Sequence, residues 1–215
     1  MILVFLGAPG SGKGTVSALL QDRKSFIHIS SGVAFRDIAK SKDKKKDIKK
    51  LQKILNSGKL VDDDTVFKVI KAKLNEFDII KDNIILDGFP RTMEQVKMFS
   101  YFVKENSLDD IYFINFKTTS EIIKKRISGR ISCPKCGRVY NVKTLPPKKE
   151  GICDLDGTKL IRRPEDENDK VEIRLQEYYN KTAPLLDFYD NLLVNIDASK
   201  NSEEMYKELI KKIGI

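Results

Sequence analysis

Short apolar runs alternate along the chain with longer stretches in which apolar positions recur every three or four residues. Ile2–Leu6, Ile84–Leu86, Ile111–Phe116 and Leu192–Ile196 are rich in β-branched or aromatic side chains and apolar on both faces. That is the pattern of strands buried within a parallel sheet. Lys13–Arg23, Asp64–Glu76, Thr92–Glu105 and Thr119–Ser128 carry helical spacing between them, and Ser202–Ile213 closes the chain with another helix. Thr118 stands three residues before Glu121 and Asn201 three before Glu204, spacings compatible with helix capping. Strand–helix alternation of this kind predicts an α/β fold, a parallel sheet covered by helices.

Two stretches break the rhythm. Ser30–Val61 reads as short helices stopped at Ser57-Gly58, with no strand for some twenty residues beyond. Residues 129–166 hold Gly, Pro, all three cysteines and scattered β-formers without a helical period. Both read as insertions standing off the sheet. Asp169–Asp190 then reads as one long helix kinked near Pro184.

Composition narrows the class. The 215 residues are 40% hydrophobic and 33% charged, the balance of a soluble globular protein and not of a disordered one. No apolar run approaches the roughly 18 residues of a membrane span. The apolar opening Met1–Leu6 is too short for a signal-peptide core and lacks a basic leader. A cytoplasmic protein is expected, and the odd number of cysteines, three, argues against a disulfide framework. The net charge of +9 favours anionic partners. Seven lysines between Lys40 and Lys50 form either a solvated helix face or a polyanion-binding patch.

The chemistry begins at Gly7-Ala-Pro-Gly-Ser-Gly-Lys-Gly-Thr15, between the first strand and the first helix. Glycines let the backbone wrap a phosphate with its N–H groups, the helix adds its positive end, and Lys13 reaches the transferring phosphates. Against G-x-x-x-x-G-K-[ST] the loop departs once, with Gly14 after the lysine and the hydroxyl at Thr15. A nucleoside triphosphate site is predicted. Asp87 ends a strand, where a carboxylate either meets magnesium through water or stabilises the turn. The one histidine, His28, lies on a short apolar strand and reads as structural. Cys133-Pro-Lys-Cys136-Gly137 is a zinc-knuckle half-site, and Cys153-Asp-Leu-Asp156-Gly157 repeats its interval with a carboxylate last. Three sulfurs and an oxygen make a closed tetrahedral set suited to structural zinc, the alternative being a segment held by packing alone.

The loop Gly-x-Pro-Gly-x-Gly-Lys-Gly-Thr resembles that of nucleoside monophosphate kinases, and of adenylate kinases in particular. Ser30-Ser-Gly-Val-Ala-Phe-Arg36, Gly58-Lys-Leu-Val61, Asp87-Gly-Phe-Pro-Arg-Thr92 with Gln95, Arg126-Ile-Ser-Gly-Arg130 and Arg162-Arg-Pro-Glu-Asp166 follow in the family's order. The resemblance covers essentially the whole chain and implies reversible transfer from Mg-ATP to AMP, giving two ADP. It implies a core of residues 1–29, 62–128 and 167–215, an acceptor-binding domain of 30–61 and a zinc-bearing lid of 129–166.

It also assigns roles. Lys13, Arg91, Arg130, Arg163 and Arg174 would serve the transfer. ATP would contact Gly10, Ser11, Gly12, Lys13, Gly14, Thr15, Arg126, Arg130, Val139, Tyr140 and Lys200. AMP would contact Ser31, Arg36, Lys59, Leu60, Val61, Gly88, Phe89, Pro90, Arg91, Gln95, Arg163 and Arg174, with Gln95 reading the adenine edge. Cys133, Cys136, Cys153 and Asp156 would hold zinc. Arg138 and Arg162, off the catalytic positions, read as solvated charges. Ser31 and Val33 depart from the family's usual threonine and aspartate, which keeps acceptors other than AMP open. A monomer is implied, with no membrane or nucleic-acid partner. A zinc-ribbon nucleic-acid binder switched by ATP is the remaining alternative, suggested by the charge.

Overall fold

A computed structural model describes the backbone of residues 1–40 and 46–215, and the side chains of these except 40 and 46–50. The Lys40–Lys50 cluster falls outside the described side chains. In chain order the elements are β1 Ile2–Leu6, α1 Lys13–Lys24, β2 Ile27–Ser30, α2 Ser31–Lys40, α3 Lys46–Ser57 and α4 Asp63–Leu74. Next come β3 Ile84–Asp87, α5 Met93–Glu105, β4 Ile111–Lys117, α6 Ser120–Ser128, β5 Arg130–Ser132 and β6 Val139–Asn141. The chain ends with α7 Asn168–Glu177, α8 Pro184–Phe188, β7 Leu193–Asp197 and α9 Ser202–Ile213.

Five strands form a parallel sheet in the order β2-β3-β1-β4-β7. β1 is central, and its five residues are all buried. The period of two sends Ile2, Val4 and Leu6 to one face, with Ile84, Leu86, Ile70, Phe99 and Phe102. Leu3 and Phe5 go to the other, with Ile85, Ile114, Leu20 and Leu209. Burial on both faces is why these strands read as continuous apolar runs. From β1 the chain crosses to the edge strand β2 and returns through β3, then continues on the other side through β4 to β7, so the crevice at the carboxyl end of β1 is the topological switch point of the sheet. The glycine loop leaves the sheet there.

Residues 129–166 stand off the sheet, as expected, around the antiparallel pair β5–β6. The Asn201–Glu204 capping box of α9 is present. Two expectations need correction. The N-cap of α6 is Thr119 rather than Thr118, and its side chain makes no capping bond. The helix expected over Asp169–Asp190 breaks earlier than Pro184. A π-helical turn spans Tyr178–Thr182, Ala183 N–H donates to the Tyr178 carbonyl at 2.8 Å, and Pro184 only starts α8.

Candidate active site

Positive φ values at Gly7, Gly10 and Gly12 fold the loop after β1 back over the start of α1. Gly12 is the N-cap of that helix and has no side chain to occupy its free N–H groups, and the first turn carries no acid. The end of α1 is thereby left open to an anion. The Lys13 ammonium donates to the carbonyls of Gly7 and Ala8 at 2.7 and 2.9 Å. Burial lowers its pKa to about 8, against the opposing pull of Asp87 and with further lowering by Arg91, Arg174 and Arg130.

The loop forms one wall of a cavity of about 640 Å³. Gly10, Gly12, Lys13, Gly14, Thr15, Arg126, Arg130, Val139, Tyr140 and Lys200 line it, together with Arg36, Leu60, Gly88, Pro90, Arg91, Arg163 and Arg174. Ser11, Ser31, Val61, Phe89 and Gln95 are buried behind this wall, and Lys59 is exposed beside it. Ser31 Oγ donates to the Gly88 carbonyl at 2.8 Å, and Arg91 Nε donates to the same oxygen at 2.8 Å. A Cβ at Gly88 would lie 2.4 Å from Arg91 Nη2, which is why this tight corner takes glycine.

Buried cations dominate the electrostatics. Asp166, wholly buried, accepts from Arg130 Nε at 2.7 Å and from Arg174 Nη1 at 2.8 Å, while Glu165 accepts from Arg36 at 3.1 Å. Burial, then repulsion from Arg130 and Arg36, holds Arg163 well below the ordinary arginine range. Burial, followed by Arg130, takes Arg174 down to about 10. Arg36 and Arg91 are lowered chiefly by burial. The three carboxylates Asp87, Glu165 and Asp166 face six cations here, Lys13 with Arg36, Arg91, Arg130, Arg163 and Arg174. Such a desolvated excess is built to receive a polyanion.

Arg126 turns its guanidinium to the carbonyls of Ser11, Ala198 and Lys200 at 3.0, 2.7 and 2.7 Å, tying the loop after β7 to the glycine loop. The Lys200 ammonium pairs with Glu208 at 3.0 Å. Thus Arg126 builds the wall it was expected to contact from.

Three arrangements escaped the sequence. His28 lines the cavity, with Nε2 3.3 Å from Asp87 Oδ2. Burial would raise the Asp87 pKa, but His28, Lys13 and Arg91 hold it well below the usual carboxylate range. The parallel register of β2 on β3 brings His28 and Asp87 together, and β2 was too short to fix that register from pattern. Arg138, expected as a solvated charge, instead makes a two-pronged ion pair with Asp22 of α1. Arg162 likewise donates to the Asp166 carbonyl at 3.0 Å.

Residues 129–166 cover the cavity. A Cβ at Gly14 would meet Val139 of β6 at 3.8 Å, and one at Gly137 would meet Val33 of α2 at 2.8 Å. The segment therefore touches both α1 and α2. Its cysteines converge as the spacing predicted: Cys133, Cys136, Cys153 and Asp156 place one ligand atom each within 4.8 Å of one another. Cys136 and Cys153 sulfurs are 3.6 Å apart, and Cys133 Sγ is 3.4 Å from Asp156 Oδ2. Zn–S bonds of about 2.3 Å at tetrahedral angles would separate sulfurs by about 3.8 Å. N–H groups of Lys135 and Cys136 point at Cys133 Sγ at 3.3 and 3.4 Å, so the donor set fits a closed zinc site. Tyr140 places its hydroxyl 3.6 Å from Cys153 Sγ and accepts from Asp154 N–H at 2.9 Å. One face of β6 thus serves the cavity and the other the cysteine cluster.

No described helix is long and apolar enough to cross a membrane. The adenylate kinase family model matches residues 5–194. The chain is 44% identical to the adenylate kinase of Borrelia turicatae over 217 residues, covering 100% of this chain and 99% of that one. It is 38% identical to the adenylate kinase of Thermotoga maritima over 214 residues, covering 99% and 96%.

Proposed function

The chain belongs to the adenylate kinase family, whose reaction moves a phosphoryl group from magnesium-bound ATP to AMP and yields two ADP, and we propose that this cavity performs it as follows. The buried excess of cations at the switch point is the observation that carries the reading. An oxygen of the AMP phosphate attacks the γ-phosphorus while the bond to the departing ADP oxygen breaks. The attacking oxygen is already anionic, so no general base is needed, and the residues supply position and positive charge.

The glycine loop and Lys13 hold the donor's phosphates, with β6 and the Lys200 backbone beside the nucleoside. Arg36 and Arg91 hold the acceptor phosphate. Arg130, Arg163 and Arg174 lie between, and their planar forks stay charged and match phosphate oxygens. The carboxylate of Asp87, aligned by His28, would hold the magnesium of Mg-ATP through water, and that ion would supply positive charge to the phosphates. Residues 30–61 and 129–166 move as the acceptor domain and lid, and the closed lid keeps out water that would otherwise take the phosphoryl group.

Cys133, Cys136, Cys153 and Asp156 hold a structural zinc, which stabilises a segment with few apolar side chains of its own. The protein works as a cytoplasmic monomer without a nucleic-acid partner, and its three cysteines, which form no disulfide, suit a reducing compartment. Arg91→Ala and Arg163→Ala should each lower kcat for ADP formation by about 10²–10³ while circular dichroism stays unchanged. Activity within a factor of a few of the parent in both would remove these arginines from the reaction.

A further inference from the structure

Asp63, the first residue of α4, enters no part of the mechanism above, yet it holds the buried end of Gln95. Its Oδ1 accepts from Gln95 Nε2 at 2.8 Å and from Thr92 Oγ1 at 2.9 Å. On the other side of the same amide, the Arg91 backbone N–H donates to Gln95 Oε1 at 2.8 Å. Gln95 is 1% exposed, so its amide has no solvent to fall back on. The clamp is itself fixed: Thr92 caps α5 by accepting from Gln95 N–H at 3.1 Å, and Thr182 Oγ1 holds the Arg91 carbonyl at 2.9 Å.

A primary amide offers two N–H donors and two oxygen lone pairs. Asp63 takes one donor and Arg91 fills one lone pair. What remains is one N–H and one lone pair on an amide whose direction is fixed. The Watson–Crick edge of adenine asks for that complement, since N1 accepts and the 6-amino group donates. Hypoxanthine and guanine present the reverse, with N1–H donating and O6 accepting. A freely turning glutamine would serve both kinds of base. Turning Gln95 would set its oxygen against the Asp63 carboxylate, two acceptors face to face, and its NH₂ against the Arg91 N–H, two donors face to face.

We propose that Asp63 is a specificity-determining residue for the acceptor base: by fixing the direction of the Gln95 amide it selects 6-amino over 6-oxo purine monophosphates. The inference rests on the reading that Gln95 faces the acceptor base. It acts through Gln95, so Asp63 is a positioning residue and not a catalytic one.

The test is Asp63→Asn, nearly the same in shape but able to present either an oxygen or an NH₂ to Gln95. Kinetics with AMP and with inosine monophosphate, which matches adenine in size, give the ratio of the two kcat/KM values. The expected result is a fall in the AMP-over-IMP ratio of about tenfold or more, with KM for ATP unchanged. Asp63→Glu, which keeps the carboxylate, should restore part of the ratio. A merely structural role would depress AMP and IMP together and leave the ratio in place, which overturns the proposal. Gln95→Leu separates the two levels of the argument. A ratio altered by Gln95→Leu but not by Asp63→Asn defeats the clamp alone. A ratio altered by neither defeats the reading of Gln95, and the clamp with it.

Discussion

At the scale of the residue, Lys13 shows how one position answers to burial and charge together. Its pKa, lowered to about 8 chiefly by burial, means that the empty enzyme loses this charge as pH rises through that value. Above it, kcat/KM for Mg-ATP should fall by up to tenfold per pH unit. Saturating nucleotide returns negative charge to the ammonium and raises its pKa, so kcat should stay flat over the same range. A flat kcat/KM profile to pH 9.5 would contradict this. Folding linkage has the opposite sense: between about pH 8 and the ordinary lysine pKa the unfolded chain binds more protons, so Lys13 contributes stability that grows with pH there. Residue types and spacings made Lys13 and the Cys133, Cys136, Cys153 and Asp156 cluster legible in the sequence, and the resemblance to the family pointed to the arginines. Several partners of the arginines were not, because Asp166 lies 36 positions from Arg130, Glu165 lies 129 from Arg36 and Asp22 lies 116 from Arg138. Nothing in Arg138's neighbourhood announces Asp22, 116 positions away.

At the scale of the element, apolar period located the sheet and most helices because each buries one continuous face. It failed where local and tertiary preferences diverge. β2 was read as a short apolar strand holding His28, but four residues carry too little alternation to fix its register on β3. The π-turn at Tyr178–Thr182 carries no proline or glycine, and packing against the Arg91 loop is what fixes it. The segment of residues 129–166 shows the reverse case, an element with little apolar pattern whose cysteines and Asp156 converge. Its buried cluster is only Cys133, Tyr140, Cys153 and Leu160 with Ile131 packed against it, too small a core to hold the hairpins. Metal analysis of protein prepared without chelator should find about one zinc per chain, and Cys133→Ser should abolish it and lower Tm by several degrees. Protein that carries no metal, or a variant of unchanged Tm, would leave packing as the support of the segment.

At the scale of the whole molecule, the sheet's order decides where chemistry happens, and the two inserted segments decide what is admitted. The switch point delivers the glycine loop, the end of β3 brings Asp87 and Arg91, and α7 brings Arg174. The inserted segments then meet over them, Gly137 on Val33 and Glu165 on Arg36. In the sequence, Val33 stood out as a missing carboxylate. In the structure it is an apolar contact to the turn at Gly137. The account therefore predicts that its departures from the usual pattern do not alter the acceptor. The most direct test is ADP formation from Mg-ATP with AMP, GMP, UMP, CMP or no acceptor. Rapid turnover with AMP, and slow turnover with the others and with water alone, is the result expected. Equal or faster transfer to another base, or ATP hydrolysis without transfer, would contradict it.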